Sequence, residues 1–215
     1  MMRSDGRSDL VVEFMGMSGV GKSTLIKRTH ELLTELGIEA HRHLDRVRTP
    51  VRTGDAIRLL SDPTLARWTV SNRDYCRTEP GRLFVRSLAF LRSLHRTEGV
   101  HLVDEGPLKL GTTAVARVER AEVLVRHMPR PDVVVLVDCD PQERLARLRA
   151  LNRLHTQGIS DENLLARHKR GLERMRRFID AYERPTWEFD TSGPTDHSEE
   201  LAARITQMES SSVPR

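Results

Sequence analysis

Gly16-Met17-Ser18-Gly19-Val20-Gly21-Lys22-Ser23 matches the pattern G-x-x-x-x-G-K-[ST] at every fixed position, and Thr24 follows it. Such a segment closes backbone N–H groups around phosphate oxygens, and a helix beginning near Lys22 aims its partly positive end at the same anion. Lys22 is suited to the β- and γ-phosphates and the Ser23 hydroxyl to Mg²⁺. The expected phosphate-binding set is therefore Gly16, Ser18, Gly19, Val20, Gly21, Lys22, Ser23 and Thr24. Nucleoside triphosphate binding follows from it as the first functional expectation.

A second cluster ends an apolar run: Gly99-Val100-His101-Leu102-Val103 is followed by Asp104-Glu105-Gly106-Pro107. In a parallel sheet the carboxyl end of such a strand lies at the ligand crevice, which places Asp104 opposite Ser23 as a second Mg²⁺ ligand, directly or through water. Glu105 leaves the strand in another direction and can face an acceptor. A third cluster is Arg130-Pro131-Asp132-Val133-Val134-Val135-Leu136-Val137-Asp138-Cys139-Asp140-Pro141, with Arg144, Arg147, Arg149 and Arg153 after it. Phosphoryl transfer needs positive charge over the γ-phosphate and exclusion of water, and an arginine-bearing lid at about 144–160 supplies both.

These residues need elements to hold them. Leu10–Met15 is a short apolar run suited to a buried strand, and Leu25, Leu32, Leu33 and Leu36 follow at helical spacing. Strands are predicted near 10–15, 38–44, 100–104, 132–138 and 186–190. Helices are predicted near 22–36, 53–61, 64–78, 81–97, 111–127, 141–151, 161–183 and 197–208. Strands alternating with longer helical patterns indicate right-handed β-α-β units in a three-layer α/β/α fold, a five-stranded parallel sheet flanked by helices. One domain over 10–208 suits the 215-residue length, with polar tails at 1–9 and 209–215.

The net charge of +4 rests almost wholly on arginine, because Lys22, Lys27, Lys109 and Lys169 are the only lysines. Aromatics are 4% of the chain and no basic tract interleaves with them, so nucleic acid is not an expected partner. The basic stretch Arg167–Arg177 shares its helix with Leu164, Leu165, Leu172, Met175, Phe178 and Ile179, a pattern that covers a sheet. Cys76 and Cys139 fit neither a metal motif nor a disulfide framework, and no long apolar stretch suggests a membrane. The cytoplasm is the expected compartment, and a homodimer is left open. His41 and His43 alternate on one strand face without a third ligand, so a strand-end substrate contact by His43 is preferred over a metal site. Arg82 and Arg86 share a helical face before the third strand and are carried as acceptor-binding residues.

In order and spacing these landmarks resemble the thymidylate kinase-like branch of the P-loop nucleoside and nucleotide kinases. Gly54–Pro63 looks like that family's helix after the second strand, and Arg130 through Arg149 like its fourth strand and pre-lid helix. Phe189-Asp190-Thr191-Ser192-Gly193 resembles its loop beside the adenine of ATP, which makes Asp190, Thr191 and Ser192 nucleotide contacts by resemblance. The resemblance implies ATP and Mg²⁺ as cosubstrates. By analogy with the second-strand carboxylate of deoxynucleoside kinases, Asp45 is the candidate general base, with Glu105 as its substitute.

Two departures bear on the acceptor. Thymidylate kinases carry Asp-Arg where this chain has Asp104-Glu105, and their Arg-Glu-Pro-Gly-Gly is represented only by Leu44–Pro50. A carboxylate repels a phosphate monoester by roughly 1 kcal/mol at contact distance even in water. The leading expectation is thus ATP-dependent transfer of the γ-phosphoryl group to a hydroxyl of a small-molecule acceptor, such as a nucleoside, an antibiotic or another metabolite. Thymidylate or another nucleoside monophosphate kinase is the alternative, and a regulatory P-loop NTPase is the alternative of another class. Guanine-specific switches carry a late Asn-Lys-x-Asp segment that this sequence lacks.

Overall fold

The computed structural model describes residues 9–43, 61–95, 97–104, 106–115, 128–152, 156–181 and 184–212. Five strands form one sheet: β1 (Asp9–Met15), β2 (Ala40–His43), β3 (Gly99–Asp104), β4 (Val133–Asp138) and β5 (Thr186–Asp190). The order is β2-β3-β1-β4-β5 and each pairing is parallel. β1 is central, with β3 on one side and β4 on the other, so the chain reverses its winding direction there. The crevice beyond the carboxyl ends of these strands is where an open α/β sheet takes ligands.

The described helices are α1 (Lys22–Glu35), α2 (Pro63–Ser71), α3 (Arg73–Arg77), α4 (Glu79–Leu94), α5 (Pro107–Val115), α6 (Pro141–Ala150), α7 (Asp161–Asp180) and α8 (Ser198–Ser212). β1 and β4 are nearly all apolar because both faces are covered. Successive side chains alternate between two cores. One face sends Phe14, Val135 and Val137 against Ile26 and Leu33 of α1 and Leu201 and Ile205 of α8. The other sends Met15, Val134 and Leu136 against Trp68, Phe84, Leu108, Met175 and Phe178 of α2, α4, α5 and α7. Burying each such side chain contributes about 1.5–3 kcal/mol before the entropy of ordering is subtracted.

All five strands stand where the sequence predicts them, and the helices differ in detail. The helix predicted over 64–78 divides at Asn72, whose side-chain amide and backbone N–H both donate to the Trp68 carbonyl at 2.9 Å. Asn competes for backbone groups in this way, and α3 starts afresh at Arg73. α4 begins at Glu79 because Thr78 caps it and a proline occupies its first turn. α5 starts at Pro107, ahead of the predicted 111. α8 runs to Ser212, into the segment expected to fray. Residues 53–60 of the helix predicted over 53–61, the second part of the one at 111–127, and Asp45, Glu105 and Arg153 lie outside the described residues, and Ser61 is a turn.

Candidate active site

The Gly16–Ser23 segment leaves the carboxyl end of β1 and enters α1 as its motif requires. Gly21 stands at the N-cap of α1 with φ near +90°, the left-handed region that glycine adopts without penalty. At Gly16 a Cβ would lie 2.4 Å from the Val137 carbonyl oxygen, so any side chain there would push β1 and β4 apart. Lys22 is buried, 7% exposed, and its Nζ lies 3.8 Å from Asp104 Oδ1. The Ser23 hydroxyl donates to Asp104 Oδ2 at 3.2 Å. Lysine, hydroxyl and carboxylate thus converge from two neighbouring strand ends, as their spacing predicts.

They converge on one side of a cavity of about 880 Å³. Ser18, Gly19, Gly21, Lys22, Ser23 and Thr24 line it together with Asp104, Arg147, Leu151 and the segment Gly193–His197. The volume lies within the range of small-molecule sites. Leu151 is 55% exposed, offering apolar surface to the cavity. Arg28 of α1 pairs with Asp196 at the rim, two residues that the sequence reading did not single out. They are 168 positions apart, and neither belongs to a local motif.

Thr191 couples the loop after β5 to the phosphate loop. Its hydroxyl lies 2.6 Å from the Val20 carbonyl, while its backbone N–H donates to the Asp138 carbonyl at 2.9 Å. Arg147 completes the contact, donating to the Thr191 carbonyl at 2.8 Å and to its hydroxyl at 3.3 Å, and it pairs with Glu143 one turn back. Asp190 and Ser192 shape this loop from outside the cavity lining: the Asp190 carboxylate accepts from the Ser192 N–H at 2.9 Å and from its hydroxyl. The Ser192 hydroxyl bond holds the Asp190 carboxyl below its usual range.

The arginines expected to act together point in different directions. Arg144 is buried beneath the loop, where its Nε donates to the Ser18 carbonyl at 2.9 Å, and burial pushes its pKa down. Arg147 faces the cavity. Arg149 is turned toward the connection after α6, donating to the Ile159 carbonyl at 2.8 Å and pairing with Asp161. Arg149 therefore braces the segment before α7 and is not among the cavity-lining residues.

The acceptor residues expected from sequence are not gathered at the cavity either. His43 ends β2, yet its buried ring is 3.0 Å from His101 Nδ1 and edge-on to Phe90. Arg82 is exposed and Arg86 half-buried on α4, and neither lines the cavity. Among the described residues, His41 and His43 included, no group of three or more His, Cys, Asp or Glu side chains is placed to hold a metal ion. Cys76 and Cys139 are free thiols. No described helix is long and apolar enough to cross a membrane.

Sequence reasoning also missed His168, which joins α7 to the end of β4. It is buried, and its Nε2 lies 3.3 Å from Asp138 Oδ1. Burial lowers its pKa and the Asp138 carboxylate opposes that shift. One turn along α7, a Cβ at Gly171 would lie 2.5 Å from Met17 Sδ, so the helix rests directly on the phosphate loop.

No family model matches the sequence, and no curated protein matches it. Similarity appears among solved structures. Deoxyadenosine kinase from M. mycoides with bound dATP superposes with a TM-score of 0.55 at 14% identity, covering 92% of this chain and 100% of that one. The same enzyme with its products dCMP and dCDP superposes with a TM-score of 0.51 at 14% identity, covering 94% and 100%. At this identity the likeness is one of architecture, and it shows that the chain has the five-stranded P-loop kinase fold.

Proposed function

We propose that the chain is an ATP-dependent phosphotransferase that moves the γ-phosphoryl group to a hydroxyl of a small acceptor carrying no phosphate. The observation that supports this most is the convergence of Lys22, Ser23 and Asp104 in the wall of the cavity. Lys22 neutralises charge on the β- and γ-phosphates, and the backbone N–H groups of residues 16–24 orient them. Arg147 holds the loop after β5 through Thr191 and lends positive charge to the cavity beside Gly21. Leu151, with Gly193–His197 also in the cavity wall, offers exposed apolar surface against which a nucleobase would pack. An alcohol and a carboxylate oxygen in contact suit a hard cation, so Ser23 and Asp104 would hold Mg²⁺. When bound, that ion adds positive charge beside the phosphate oxygens.

The acceptor reading rests on Glu105 standing where related kinases carry an arginine, and on Asp45 near the end of the second strand. Either carboxylate would accept or orient the hydroxyl proton. Of the arginines expected in the lid, Arg147 lines the cavity among the described residues, whereas Arg149, Arg82, Arg86 and His43 do not line it and carry no role in this reading. Incubating the protein with Mg·ATP and a panel of nucleosides and hydroxyl- or amino-rich metabolites, with phosphorylated products read by mass spectrometry, tests the proposal. A product formed by the wild type and absent with Lys22→Ala is the expected result; ATP hydrolysis with no phosphorylated product would point to the regulatory NTPase.

A further inference from the structure

β1 carries one anomaly. Glu13 sits mid-strand among Val11, Val12, Phe14 and Met15, fully buried. Its Oε1 accepts the backbone N–H groups of Leu108 at 2.8 Å and Lys109 at 3.2 Å, donors in the first turn of α5 that have no partner within the helix. Its Oε2 has no hydrogen-bond partner among the described residues. Gly106 makes room for it, since a Cβ there would lie 2.6 Å from the Glu13 Cδ. Lys109 in turn donates from Nζ to the carbonyl of Gly16, the first residue of the phosphate loop, at 3.0 Å. A continuous path runs from the carboxyl in β1, through the start of α5 and the lysine, back to the loop that leaves β1.

We propose that Glu13 and Lys109 are positioning residues for the phosphate loop, Glu13 by fixing the first turn of α5 and Lys109 by holding the Gly16 carbonyl. The assignment rests on the nucleotide-binding part of the reading above and is independent of the acceptor. A loop whose amides must face phosphate needs its carbonyls restrained, and a charge-assisted hydrogen bond to Gly16 does that. Lys109 is itself half-buried, so its ammonium keeps access to water while it holds the Gly16 carbonyl. The ionisable side chains on the two strands paired with β1 and on α5 are His101 and Asp104 of β3, Asp138 of β4 and Lys109 of α5, with Asp9 on β1 itself. Burial raises the Glu13 pKa to about 8, against the two backbone N–H bonds that lower it, so near neutral pH the pocket holds the protonated acid. Ionisation places an anion beneath the loop and pulls on the first turn of α5.

The test is titration calorimetry of a non-hydrolysable ATP analogue with Mg²⁺ from pH 6.5 to 9.0, on the wild type, Glu13→Gln and Lys109→Met, with Lys22→Ala as control. Wild-type affinity is expected to fall about threefold or more as pH rises through 8, and Glu13→Gln, which mimics the protonated acid, to match the wild type at pH 6.5 without that fall. Lys109→Met is expected to bind about tenfold more weakly throughout, the scale of one lost charged hydrogen bond. A flat wild-type curve, a Glu13→Gln curve that falls like the wild type, or Lys109→Met binding at wild-type strength overturns the proposal. The wild-type curve decides even if a variant fails to fold. Loss of binding in Lys22→Ala alone shows that the nucleotide site survives such a failure, whereas no binding by the wild type overturns both readings.

Discussion

Ser23 and Asp104, 81 positions apart, meet beside the phosphate loop with the serine hydroxyl donating to Asp104 Oδ2 at 3.2 Å. The contact exists because β1 and β3 are parallel neighbours in register, with Phe14 opposite Asp104. One strand end thus delivers the hydroxyl through the start of α1, and the other delivers the carboxylate. If this pair holds Mg²⁺, Asp104→Asn will raise the Mg²⁺ concentration needed for half-maximal activity and lower the maximal rate. An unchanged Mg²⁺ titration would assign Asp104 a structural role.

Lys22→Ala removes the buried cation beside Asp104 that the proposed function assigns to the phosphates. The rate should fall by roughly 10²–10³-fold or more while far-ultraviolet circular dichroism stays that of the wild type. Wild-type turnover in a folded variant would contradict the assignment.

Arg144 and Arg147 will separate on substitution. Arg144→Ala strips the Ser18 carbonyl of a buried donor and removes packing against Gly19, at a cost of about 2–3 kcal/mol in urea unfolding. Arg147→Ala, at the half-buried cavity wall, should weaken ATP binding and cost under about 1 kcal/mol of stability. Equal stability losses would show that both arginines are structural.

Stability will depend on pH through Glu13. Its folded pKa is raised from 4.5 to about 8, so its contribution is complete below pH 4.5 and is lost as pH climbs through 8. Glu13→Gln does not titrate. Between pH 5 and 8 the stability difference should therefore shift in favour of Glu13→Gln, by roughly 2–4 kcal/mol at about 1.4 kcal/mol per pH unit. Parallel unfolding curves at the two pH values would mean that Glu13 is ionised throughout.

Local chemistry was legible in the sequence, and long-range pairing was not. The phosphate loop could be read because strand, glycines, lysine and hydroxyl lie within a few residues of one another. Asp104 could be read because a strand that stops on a carboxylate points it at the crevice. The arginines after β4 were visible as a group, but helical steps of about 100° per residue send Arg144 beneath the loop, Arg147 to the cavity and Arg149 to Asp161. Arg28 and Asp196 meet only because α1 packs against α8, and nothing local announces it. Glu13 could have been noticed as the one carboxylate within an apolar strand, but its donors lie 95 and 96 positions away. His43 was read from its place at a strand end, and its ring is instead engaged by His101 on the adjacent strand.

The acceptor remains the central claim, and a direct comparison of phosphorylated and unphosphorylated acceptors tests it. ATP consumption should be measured against dTMP and other nucleoside monophosphates, beside their dephosphorylated counterparts and a set of hydroxyl- and amino-rich metabolites. The account predicts Lys22-dependent turnover of an unphosphorylated hydroxyl compound and none of the monophosphates. Turnover of dTMP with kcat/KM of roughly 10⁴ M⁻¹s⁻¹ or above, the ordinary range for an enzyme's own substrate, would contradict it and identify a nucleoside monophosphate kinase.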